Sequence, residues 1–254
     1  METSNEYKLI PTFGNSFGTG WRVMTDNFIR LLLIVIVVAI VSGPVQMINF
    51  KFDNHDFHGA PWEWAGNMDS MINWASLGML AAFFGIIALL FTLFVVPVFE
   101  YGADMTFVQA VRKIKPNFEL LIRGFWQNYL HIVLANLLVG ALIVLGCFAL
   151  LIPGIIIACR LVFVSYIVMD KKLDPIEAVE LSWKLTRGHG WRIFAMGFVS
   201  IFIILFGLIM FIVGIFPAII WVSSSFATLY QSVLNEKEKP SEQALTEPAP
   251  ASAQ

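Results

Sequence analysis

Charge is the scarcest feature of this sequence: 13% of its 254 residues are Asp, Glu, Lys or Arg, against roughly 25% in soluble domains. The chain is also 58% hydrophobic, with a mean hydropathy of +0.76. A soluble core of this length could not hide so much apolar surface, which points to lipid as the solvent. Cysteine is nearly absent. Cys147 and Cys159 both fall in apolar runs and read as small packing residues rather than a disulfide or a metal pair. The basic residues are spread over several loops, so they make no nucleic-acid footprint.

Catalytic signatures are missing too. There is no Gly-Lys-Ser/Thr phosphate loop, no nucleophile elbow and no metal-binding helix pair. The expectation is a protein that is not an enzyme, with no metal and no cofactor. No cleavable signal peptide stands out either. The first apolar run begins near Phe28, after a polar leader, and is expected to remain as an anchor.

What is present is length without charge. From Ile193 to Asn235 there is no charged side chain. A single helix over that run would be roughly 60 Å long, twice the hydrocarbon thickness of about 30 Å. The run must therefore double back. Gly214-Ile215-Phe216-Pro217 offers the turn, giving spans near Ile193–Val213 and Phe216–Leu234. Tyr129 to Met169 holds one charge, Arg160, and the same argument folds it at Ile152-Pro153-Gly154. Phe28–Phe50 and Leu77–Phe99 complete six predicted spans.

A charged helix precedes the last hairpin. Asp174-Pro175-Ile176-Glu177 is a helix start with an acidic N-cap and proline at the first position, and Gly188 is placed as its C-cap. Glu177, Glu180, Lys184 and Arg187 share one face, and Trp183 lies on the apolar remainder. Such a helix suits the headgroup region. The chain then reads as three copies of one unit, a surface helix followed by an apolar hairpin. The second and third copies register at a constant offset: Arg123-Gly124 meets Arg187-Gly188, Pro153 meets Pro217, and Tyr166 meets Tyr230. In the leader, Gly18-Thr19-Gly20-Trp21-Arg22-Val23 parallels Gly188-His189-Gly190-Trp191-Arg192-Ile193. The fold class expected is an all-α integral membrane bundle: a polar cytoplasmic leader with an interfacial segment over 1–27, a six-span domain over 28–235, and a disordered cytoplasmic tail over 236–254.

Orientation follows from Lys and Arg. The 101–128 and 170–192 segments, the leader and the tail carry them, while the 51–76 loop has Lys51 alone and the two hairpin tips have none. With six spans all basic segments fall on one side, which is the cytoplasmic side. Both termini are then inside. The partners expected are the lipid bilayer and a membrane or peripheral protein, with no nucleic acid.

Arg160 is the most informative single residue, because an ionisable group inside a span is a functional candidate by default. It either grips an anionic headgroup or substrate, or it snorkels and bonds to freed carbonyls and to Glu100 or Asp104. Ser223-Ser224-Ser225 occupies the equivalent repeat position, where hydroxyls bond back to their own helix or line a path. The candidate binding set is therefore Arg160, Ser223, Ser224 and Glu100. Asp53-Asn54-His55-Asp56-Phe57-His58 has metal-ligand residue types without a recognised zinc spacing, and reads as a solvated acidic loop. His131 and His189 sit at span edges.

Ile152-Pro153-Gly154-Ile155 leading to Arg160, then Ala178, Ser182-Trp183-Lys184-Leu185-Thr186-Arg187-Gly188 and Trp191-Arg192, resembles a widespread bacterial group. It is similar to the membrane domain that precedes some glycerophosphoryl diester phosphodiesterases, and to related uncharacterised inner-membrane families. The resemblance covers about 120–230. It implies a helical membrane module, bacterial and of the inner membrane. The hydrolase activity of those enzymes needs a separate soluble barrel and does not carry over. Two functions are expected: a non-catalytic module that organises lipid or a partner protein, or a transporter or flippase-like carrier of an anionic amphiphile using Arg160.

Overall fold

The computed structural model describes residues 9–246 except 54–67, 117, 120, 123–125, 127 and 211. Among the described residues all regular structure is helical: α1 (Phe13–Asp26), α2 (Phe28–Asp53), α3 (Met68–Phe94), α4 (Val96–Val111), α5 (Tyr129–Ala149), α6 (Leu151–Leu161), α7 (Val164–Lys171), α8 (Pro175–Thr186), α9 (Gly190–Ile209) and α10 (Ile212–Thr246). Of the acidic loop, Asp53 ends α2, and residues 54–58 lie outside the described residues.

Among the described residues, four stretches are long and apolar enough to cross a membrane: Ala82–Val111, Tyr129–Ala149, Ile152–Lys171 and Gly190–Ile209. A fifth is added if α1 and the first part of α2, bent by 94° at Asn27, count as one broken span. Helix α10 is not among them.

The core forms where α4, α7 and α10 meet. Val98, Val108, Phe163, Ile167, Leu229 and Tyr230 are fully buried there. Helices α3, α5 and α9 instead present bare apolar surface, including Phe83, Phe84, Leu134, Phe148, Phe202 and Phe206. Patches of that kind are an aggregation liability in water and an ordinary outer surface in lipid.

The hairpins turn earlier than their prolines predict. The first breaks at the extended residue Leu150 (φ −170°, ψ 149°) and the second at Met210. Pro153 is the third residue of α6, where an amide hydrogen has no intrahelical acceptor, so the ring interrupts nothing. The glycines act by closeness rather than by relaxing a turn. A Cβ added to Gly154 would lie 2.9 Å from the backbone nitrogen of Cys147, and one on Gly207 would lie 2.8 Å from the Gly214 carbonyl oxygen. Only hydrogen fits between the hairpin arms.

Two end segments are corrected. The leader is not a broken polar stretch: α1 buries Phe17, Thr19, Gly20, Val23 and Met24, and it packs on α10. Tryptophan fixes that contact, since Trp221 Nε1 donates to the Phe17 carbonyl at 3.0 Å and the Trp21 ring meets the Trp221 ring edge-on. The predicted disordered tail begins as helix, because α10 continues to Thr246. Helix-forming Glu, Lys, Gln and Ala residues extend it. Glu236 and Glu238 tie its first turn beyond the bundle to His189 (3.4 Å) and Lys171 (2.7 Å). The two matching hexapeptides also differ in setting. Gly18–Val23 lies within α1, whereas Gly188–Ile193 bridges the end of α8 and the start of α9.

Candidate functional site

Helix α8 forms as its sequence predicts. Asp174 is the N-cap residue, Pro175 opens the helix, and Gly188 follows it with φ 90°, the left-handed conformation that glycine adopts without strain. Glu180 and Lys184 pair one turn apart at 3.6 Å. The Asp174 carboxylate does not close the cap. It faces His131 Nε2 at 2.8 Å and so links α8 to the start of α5.

The inner face of α8 docks on a helix break. The span read as one helix over Pro153–Met169 is interrupted at Val162–Phe163, between α6 and α7. A helix that ends there leaves carbonyls without intrahelical donors. Ser182 Oγ donates to the Arg160 carbonyl at 2.8 Å, and Thr186 Oγ1 donates to the Ser182 carbonyl at 2.8 Å. Both hydroxyls are fully buried. The Ser-Trp-Lys-Leu-Thr segment therefore has a physical task, to cap the broken helix from outside.

Between those two hydroxyls in sequence, Trp183 takes the side chain. The Arg160 guanidinium lies over the indole, its carbon 5.6 Å from the ring centroid. Its Nη1 is buried and has no hydrogen-bond partner among the described residues. The sequence offered Glu100 or Asp104 as counter-ions, but neither pairs with it. Asp104 bonds Ser165 instead. Glu100 and Asp104 line a separate cleft of about 220 Å³ with Asn136 and Ser165, walled by Val139 and Leu161. Arg160 is not part of that lining. The structure thus parts two members of the candidate set, Arg160 under α8 and Glu100 in a cleft between α4, α5 and the α6–α7 break.

The serines of α10 behave as helix-bonding groups. Ser225 Oγ donates to the Trp221 carbonyl at 2.7 Å, and Thr228 Oγ1 to the Ser224 carbonyl at 2.7 Å. Ser224 Oγ is buried without a partner among the described residues, and Ser223 is half-buried. A Cβ on Gly20 would stand 2.8 Å from the Ser225 backbone, so α1 and α10 touch at main-chain distance through small residues.

One polar network was missed by the sequence reading. Arg112 donates from Nη1 and Nη2 to the two Asp170 carboxylate oxygens, each at 2.6 Å, and from Nε to Gln231 Oε1 at 2.7 Å. Tyr230 donates its hydroxyl to Asp170 at 3.0 Å, and Gln231 donates to Asn235 at 2.8 Å. This bidentate pair joins the C-terminal ends of α4 and α7 to the middle of α10. The available signal was that Arg112 and Asp170 each stand at the end of a core helix.

Comparison with protein-family models, with curated proteins and with solved structures gives no match for this chain.

Proposed function

We propose that this chain is a non-catalytic, multi-pass module of a bacterial inner membrane that organises lipid, or a partner protein, at the cytoplasmic leaflet. The observation that carries the reading is the division of the molecular surface. Bare apolar hairpin arms on α3, α5 and α9 stand next to exposed tryptophans at Trp21, Trp126, Trp183 and Trp191. Tryptophan sits by preference at the boundary between headgroups and hydrocarbon. The three-unit, six-span plan is part of the proposal. Ile212–Leu234 of α10 serves as the last span and Phe28–Phe50 as the first. In its support, α7 and α10 come from the second arms of the second and third units and share the core, while α5 and α9 come from their first arms and present bare apolar surface. The resemblance to the membrane domain of glycerophosphoryl diester phosphodiesterases favours the same plan.

The carrier alternative requires a polar cavity that reaches Arg160. The cleft is lined by two acids and not by Arg160, and its volume of about 220 Å³ is small for an amphiphile. That favours the module over the carrier. The test joins topology and transport. Reporters fused at residues 150 and 210 should face away from the cytosol, and one at residue 172 should face it. Vesicles containing the purified chain should flip a fluorescent anionic lipid no faster than empty vesicles. A cytosolic signal from either hairpin tip sinks the six-span plan, and accelerated flipping replaces the module with the carrier.

A further inference from the structure

We propose that Arg160 and Trp183 form a binding site for the phosphate of an anionic glycerophospholipid. The proposal rests on the membrane-module reading and supplies it with a ligand.

The argument begins with an unbalanced charge. A guanidinium stays protonated in any protein environment. Burying one is costly unless it is paired and hydrogen-bonded. Arg160 has neither condition met among the described residues: Nη1 is buried without an acceptor, and its guanidinium contact is an aromatic face. The two carboxylates nearest in the sequence argument do not neutralise it: Asp104 bonds Ser165, and Glu100 lines the separate cleft.

The second step is orientation. The backbone of Arg160 is held by Ser182, so the side chain leaves a fixed point. Its planar head then lies on Trp183, which is half exposed at 45%. Stacking occupies one face of the guanidinium and protein covers Nη1, so the edge formed by Nε and Nη2 is the part that meets a phosphate. Trp183 belongs to a surface helix whose exposed charges balance, Lys184 and Arg187 against Glu177 and Glu180, so the Arg160 guanidinium itself supplies the charge that recognises an anion. Water could satisfy the donors without neutralising the charge. A phosphodiester does both, and it is the abundant anion of a bilayer.

The test uses the full chain in mild detergent, with phosphatidylglycerol, phosphatidylcholine or inorganic phosphate added separately. Lipid retention is read by native mass spectrometry and stabilisation by thermal melting. The wild type should retain phosphatidylglycerol in preference to phosphatidylcholine, and Arg160→Gln should lose about tenfold in affinity, one decade being 1.4 kcal/mol. Trp183→Leu should lose about threefold, the scale of a cation–π contact. Because Trp183 is exposed, that variant decides the matter if Arg160→Gln does not accumulate. Unchanged phosphatidylglycerol affinity in a folded Arg160→Gln, or in Trp183→Leu where the arginine variant is lost, overturns the site and leaves the module reading standing. Equal stabilisation by inorganic phosphate overturns the lipid as its source. A wild type that retains no lipid of either kind overturns the lipid-organising reading itself.

Discussion

The rings of Tyr166 and Tyr230 stack face to face, with centroids 5.2 Å apart and planes 17° from parallel. Their sequence separation is the one that also relates Pro153 to Pro217. Phe163 closes the group edge-on against Tyr230 at 5.6 Å. Tyr230 is fully buried, and its hydroxyl donates to Asp170. The two parts of the side chain can be separated by substitution. Tyr230→Phe keeps the stack and removes a hydrogen bond to a charged acceptor, for an expected loss of about 2 kcal/mol. Tyr230→Ala also opens a cavity, for about 4 kcal/mol. Unfolding in detergent, followed by loss of helicity, measures both. If the Phe variant matches the wild type, the hydroxyl is not part of the brace.

The Arg112–Asp170 pair makes a sharper prediction. The side chains are 26% and 10% exposed, so most of the charge is out of solvent. Removing either partner alone leaves the other unpaired, at a cost near the lower end of the range for buried pairs, about 3 kcal/mol. Removing both together removes the stranded charge. Arg112→Met and Asp170→Leu should each destabilise strongly, and the double variant should be less destabilised than the sum of the two. Melting temperatures of the four proteins complete the cycle. Additive losses would show that the two side chains act independently.

Ser182 should matter more than its type suggests. It is fully buried and bonds the carbonyl that the α6–α7 break sets free. Ser182→Ala leaves that acceptor only the longer contact from Thr186 Oγ1 at 3.4 Å, at a cost of about 1 kcal/mol. Ser182→Thr keeps the hydroxyl and should recover most of the loss. The same measurement separates this structural task from lipid binding, since the Thr variant should keep the wild-type preference for phosphatidylglycerol. A Thr variant as unstable as Ala would mean that the site needs a small side chain rather than a donor.

These cases also mark what a reader of the chain could see. The helical membrane character was legible because long stretches without charge admit no other solvent. Helix α8 was legible at both ends, since Asp174-Pro175 and Gly188 are local chemistry and act through their own backbone. The turn at Leu150 is displaced from Pro153 because proline is silent in the first turn of a helix, whereas Pro217 is carried inside α10 as its sixth residue, and the turn falls before it at Met210. In an unbroken apolar run no other residue marks a boundary. The break at Val162–Phe163 was invisible for the same reason. Arg160 stands out in the sequence as the one charge of its apolar run, and residue type points to carboxylates as its partners. The residue that covers it, Trp183, was already noted as part of a motif and was not connected to it. Contacts between distant segments leave no local trace, which is also why Arg112–Asp170 went unseen.

Glycine supplies a last test, because its two uses here predict opposite signs. Gly18 and Gly20 both lie in α1, one turn-half apart on the same helix. Around Gly18 there is open space for a Cβ, whereas at Gly20 it would meet the Ser225 backbone at 2.8 Å. Alanine is the better helix former by about 0.8–1 kcal/mol, so Gly18→Ala should stabilise by up to that amount. Gly20→Ala gains the same propensity but must push α1 off α10, an overpacking cost of about 1–3 kcal/mol that exceeds the gain or cancels it. The backbone of Ser225 cannot swing aside as a flexible side chain would. The expected order of melting temperatures is Gly18→Ala, wild type, Gly20→Ala. Equal stabilisation by both substitutions would mean that α1 does not touch α10 at main-chain distance, and the leader would revert to a loosely attached segment.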